Sequence, residues 1–157
     1  MGTTTHDVQD NLFGLARGFH DEGDEVAPVA FFLRGEEPVA IALLRIPKPQ
    51  WRKRILGEIA AHEADGVILQ CEARLARGTL AATALAAYAA GADSLEGVVG
   101  VEDALISTME TAAGTYRSLT TLVQPDGSLG ETLVIEEAGV RDGALTGFFS
   151  HTDVARV

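Results

Sequence analysis

The chain is 157 residues long, 46 % hydrophobic and 22 % charged, with 12 Lys and Arg against 23 Asp and Glu. That length and mixture suit one globular domain with its own core, and exclude a disordered tail, a collagen-like fibre and a coiled-coil rod. The formal net charge of −11 argues against general nucleic-acid binding and against an anionic membrane surface, since phosphates repel it; acidity by itself serves solubility.

Cys71 is the single cysteine, so no intrachain disulfide or multi-cysteine metal site can form, and a reducing, cytoplasmic setting is expected. The opening Met-Gly-Thr-Thr-Thr-His has neither a basic n-region nor an apolar h-region, so no signal peptide is expected, and His6 breaks the myristoylation pattern. No apolar run approaches the length of a membrane span. Lys48 and Lys53 are the only lysines and Asn11 the only asparagine, a bias that fits a GC-rich coding sequence.

Residues 1–10 read as a polar lead-in. Leu12, Leu15, Ala16 and Phe19 recur at helical spacing, predicting a helix over about 10–22 with Asp10 at its start and an acidic turn, Asp21 to Glu25, at its end. Val29 to Leu33 and Val39 to Ile46 flank the turn Arg34–Pro38 and predict a β-hairpin. Pro47 and Pro49 end it, Pro49 being suited to the first turn of a helix. In that helix Trp51, Ile55, Ile59 and His62 share one face, and Gly66 is the expected left-handed cap.

Val67 to Leu75 alternates: Val67, Leu69, Cys71, Ala73 and Leu75 point one way, and Ile68, Gln70, Glu72 and Arg74 the other. Residues 79–90 are alanine-rich with high helix propensity, and 77–100 read as a helical insertion between two strands. Ala104 to Thr111, Thr115 to Val123, Glu131 to Glu136 and Ala144 to His151, separated by Ala112-Ala113-Gly114, Pro125-Asp126-Gly127 and Arg141-Asp142-Gly143, predict a four-strand antiparallel meander. The expectation is a single α+β domain over 1–157, a mostly antiparallel sheet with two to three helices packed on one face.

No phosphate loop, dinucleotide fingerprint, nucleophile elbow or H-E-x-x-H is present, and no cofactor is expected. His20 among Asp21, Glu22, Asp24 and Glu25 is the densest group of hard-cation ligands, but it lacks the alternation of a calcium loop and reads as a solvated turn. His6 and Asp10 lie four apart, and His62 reads as a core-edge histidine. Cys71 on the apolar side of its strand should be buried and inert. Two ligand-binding candidates remain. Gln70, Glu72 and Arg74 line one face of a strand near the sheet centre; if that face is covered they need partners there, and otherwise they are an ordinary solvated strand face. Trp51 and Arg52 sit in a basic group with Arg45, Lys48, Lys53 and Arg54, where an anionic partner would be drawn.

The stretch Ala64-Asp65-Gly66-Val67-Ile68-Leu69-Gln70-Cys71-Glu72-Ala73, with Glu102-Asp103-Ala104-Leu105-Ile106 after an insertion, resembles a group of small proteins of GC-rich bacteria and their phages. In that group a helix leads into a hydrophobic strand with a central Glu, and a later strand opens acidic-x-Ala-Leu. The aromatic that follows the Glu there is replaced here, with Arg74 nearby. The resemblance spans about residues 25–150 and implies a phage or accessory protein, with no established activity to carry over. Three readings follow: a non-enzymatic binding or assembly protein acting as a homo-oligomer or with a protein partner; a binder of a small anionic ligand; and a small enzyme using Glu72 or His20 as general base.

Overall fold

The computed structural model describes residues 4–75, 102–138 and 147–149. Helix α1 (Thr5–Asp21) precedes the hairpin β1 (Val29–Arg34) and β2 (Glu37–Leu43). A 3-10 turn (Lys48–Gln50) leads into α2 (Trp51–His62), followed by β3 (Gly66–Leu75), β4 (Glu102–Thr111), β5 (Thr115–Val123) and β6 (Leu129–Ala138). The six strands form one sheet in the order β2-β1-β3-β4-β5-β6, antiparallel at every pairing. The expected α+β class therefore holds, with β3 inside the sheet and β3 to β6 as a consecutive meander. The alanine-rich block at 77–100 and most of the expected strand at 144–151 lie outside the described residues; residues 147–149, the described part of that strand, form a bend.

The helices do not share a face. Trp51 and Ile55 of α2 pack with Ala30, Phe32, Val67 and Leu69. Val8 of α1 packs with Phe31, Leu33, Ile68 and Met109, and Phe13 and Ala16 of α1 pack with Leu105 and Leu119. Alternating residues of β1 and β3 thus feed two cores, one on each side of the sheet. The reason lies in the unbroken apolar runs Ala30–Leu33 and Val67–Leu69, buried throughout: a strand that is apolar on both faces needs cover on both. Burying one such side chain as completely as Phe32 or Ile55 contributes about 1.5–3 kcal/mol.

Several boundaries differ from the sequence expectation: β2 runs over Glu37–Leu43 rather than 39–46, β4 starts two residues early, β6 is two residues longer at each end, and both helices shift. Helix α1 starts at Thr5 rather than near residue 10. Thr4 Oγ1 accepts from Asp7 N–H and Asp7 Oδ2 accepts from Thr4 N–H, both at 3.1 Å, a reciprocal capping box that polarity alone disguises as a lead-in. Helix α2 ends at Glu63, which takes the left-handed conformation itself (φ 51°). Gly66 serves the sheet instead: a Cβ there would lie 3.3 Å from Leu33 Cβ, so glycine permits the close approach of β3 to β1. In the β4–β5 turn, Gly114 does adopt the positive φ, 91°, that this turn requires.

Candidate functional site

Helix α1 lies over β3 and β4, with Val8 reaching Phe31 and Leu33 of β1, and leaves Ile41 and Leu43 of β2 exposed on the same sheet face. The flank of the helix and the β1–β2 hairpin become the two walls of a groove. Leu12, Leu15, Ala16 and Phe19 form the helix wall. Val29, Phe31, Ile41 and Leu43 form the strand wall, with Val26 and Ala27 closing one end. The groove holds about 380 Å³, within the range of small-molecule sites. Leu15, Phe19, Ile41 and Leu43 are between 49 % and 61 % exposed, and they are four of the seven large hydrophobics exposed among the described residues.

Gln70 of β3 lines the groove and is 3 % exposed. Its Nε2 donates to the Leu12 carbonyl at 3.3 Å, while its Oε1 is buried with no hydrogen-bond partner. The lining contains one ionisable side chain, Glu25, whose carboxylate meets Arg45 3.4 Å away with both side chains largely exposed.

The candidate residues from the sequence separate. Gln70 is covered by α1. Glu72, two residues on, is exposed, and its Oε1 accepts from Val26 N–H at 3.3 Å, tying the end of the groove to β3. The side chain of Arg74 lies outside the described residues. Trp51 and Arg52 belong to the opposite face. Trp51 is buried in the α2 core with Nε1 donating to Ile46 O at 2.9 Å. Arg52 stacks on Phe148 (5.3 Å to the ring centre) and donates to Gly147 O at 3.3 Å. The same bend is held from beneath by Glu110, a buried carboxylate that accepts from the backbone N–H groups of Gly147 and Phe148 at 2.8 and 3.2 Å. In the basic group, Lys48 lies over the Trp51 ring and Arg54 pairs with Glu58. These are structural engagements of the cations proposed to draw an anion.

His20 Nε2 lies 2.8 Å from Gly127 O, joining α1 to the β5–β6 turn. No group of three or more His, Cys, Asp or Glu that could hold a metal occurs among the described residues. Burial pushes the Cys71 thiol up from its ordinary value, with Lys48 opposing and Glu72 adding to the rise. No helix of the described residues is long and apolar enough to cross a membrane.

Sequence reasoning missed the polar seam under α1. Gln9, fully buried, donates to the Ser107 backbone and hydroxyl oxygens and to Arg117 O at 3.1–3.2 Å. Its Oε1 accepts from Arg117 Nη1 at 3.2 Å, and the same guanidinium reaches Asp10 Oδ1 at 2.8 Å. Arg17 donates to Thr121 and Thr132 further along. A lone Gln in a polar stretch gives no signal of burial; the capping box at Thr4 and Asp7, which extends the helix over Gln9, was the one available. Comparison with protein-family models, with curated proteins and with solved structures gave no match.

Proposed function

We propose that the chain is a non-enzymatic binding protein that takes a small, mainly apolar ligand in the groove between α1 and the β1–β2 hairpin. The observation that carries this reading is the concentration of exposed Leu15, Phe19, Ile41 and Leu43 around one concave, apolar site. Scattered single hydrophobics on a surface need no explanation; a contiguous set lining a groove marks an interaction site. The reading is tested by titrating an environment-sensitive apolar dye into the wild-type protein and into a Leu15→Glu/Ile41→Glu double variant. Saturable binding of one dye per chain is expected, weakened about tenfold or more in the variant, because two apolar contacts worth about 1.4 kcal/mol together are lost. Both positions are exposed, so the melting temperature should barely change. Equal dye affinity in the two proteins would refute the site.

Assembly is the second reading. It is favoured by β6, the last strand of the sheet among the described residues, where Leu133, Val134 and Ile135 are 51–54 % exposed. A place among the small proteins of GC-rich bacteria and their phages fits either reading and selects neither.

A further inference from the structure

We infer that the ligand of this groove is neutral, apolar along its length, and carries a hydrogen-bond donor, an alcohol or phenol hydroxyl or an amide N–H, that meets Gln70 Oε1. The inference rests on the groove being a ligand site and goes on to name the class of ligand.

Buried polar atoms are almost always hydrogen-bonded, and exceptions call for a cause. Gln70 Oε1 is such an exception, on a residue that lines the groove. The amide is oriented by its neighbour: Nε2 donates to Leu12 O at 3.3 Å, and turning the amide over would set two oxygens against each other. Gln9, the other buried amide side chain among the described residues, offers no relief. Gln9 Nε2 is committed to Ser107 and Arg117 O, and its own oxygen is taken by Arg117. What Gln70 Oε1 lacks is therefore a donor, and the described side chains that line the groove are hydrocarbon apart from Gln70 itself and Glu25. A site with an unmet buried acceptor discriminates in favour of ligands that supply the missing proton.

Charge narrows the class further. Among the described residues the lining contains no Lys, Arg or His and one ionisable side chain, Glu25, and the chain carries a net −11. A carboxylate or phosphate headgroup would enter a lining whose charge is a carboxylate, beside an Arg45 already paired with Glu25, at high desolvation cost. This runs against the small anionic ligand expected from the sequence. The 380 Å³ of the groove equals the liquid volume of about thirteen waters, so a chain the size of 1-decanol fits.

The test is calorimetric titration with 1-decanol, methyl nonyl ether and decanoate, using the wild-type protein and Gln70→Met. Decanol should bind about tenfold more tightly than the ether, which matches its size without the donor, and more tightly than decanoate. Gln70→Met should erase the alcohol-over-ether preference, the ratio of the two affinities falling to about one. Equal wild-type affinities for alcohol and ether, or tightest binding of decanoate, overturn the ligand class but leave the groove reading standing. Failure of all three probes and of the apolar dye overturns the groove itself. A wild-type dimer that Leu15→Glu/Ile41→Glu dissolves would put a second copy in the groove and overturn both.

Discussion

Cys71 occupies the α2 side of β3, and its thiol sits above its ordinary value chiefly because burial disfavours the thiolate. The folded state therefore holds the proton to higher pH than the unfolded chain does. Below the ordinary thiol value of 9.0 both states are protonated and the contact contributes fully; as pH rises past it, the unfolded chain ionises first and stability is lost. Comparing wild type with Cys71→Ala by urea unfolding, the stability gap should be largest near pH 7 and narrow above pH 9. A gap that widened with pH would contradict the assignment. Iodoacetamide should likewise modify the native protein more slowly than the urea-unfolded chain. The alternation of Val67 to Leu75 was enough to put Cys71 on an apolar side and Gln70 with Glu72 on the other. It could not say that Gln70 would be buried and Glu72 exposed. That distinction depends on where α1 crosses the sheet, a tertiary fact with no period in the sequence.

At the level of elements, α1 is held by two different devices. Its apolar residues Phe13 and Ala16 pack on Leu105 and Leu119, and its polar residues Gln9 and Asp10 are gripped by Arg117 from β5. The guanidinium side chain is 12 % exposed, so solvent screens its bonds only partly. Arg117→Met would keep most of the apolar stem and strand Gln9 Oε1 without a donor. The expected loss is about 2 kcal/mol, the usual cost of an unmet buried acceptor together with a lost charge-assisted bond. Denaturant unfolding checks the magnitude, and amide exchange along α1 checks the location: protection should fall in its first turns before the β1–β3 core opens. A variant of wild-type stability would show that apolar packing alone seats the helix. The described strands, by contrast, were legible to within two or three residues at their ends, because turn glycines and alternation are local. The second helix was legible from its apolar stripe. The two-sided cover of the sheet was written in the unbroken runs Ala30–Leu33 and Val67–Leu69, which a hairpin with one buried face does not need.

At the scale of the whole molecule, the sheet formed by the described residues ends at β2 and β6, and these two margins carry different kinds of exposed surface. Beside β2, the apolar side chains Ile41 and Leu43 face α1 across the groove. Along β6, Leu133, Val134 and Ile135 are adjacent in the chain and so point to alternate faces, each about half exposed. An apolar edge with unpaired backbone groups is the geometry through which sheets extend into one another. Charge limits that tendency: Glu131 and Glu136 flank the apolar residues, and Glu136 already lies 3.7 Å from Arg117 within the chain. Two copies pairing antiparallel about the Leu133–Val134 midpoint would set Glu131 of each against Glu136 of the other, an unfavourable cross-strand match. Association through β6 is therefore expected to be weak, concentration-dependent and strengthened by salt, which screens the like charges. Sedimentation velocity over a range from about 10 μM to 1 mM should detect it, and Leu133→Lys, placing a charge on the exposed edge, should abolish it without altering dye binding in the groove. Association that survived Leu133→Lys, or that salt dissolved, would remove β6 from consideration and leave the groove as the interaction surface of this chain.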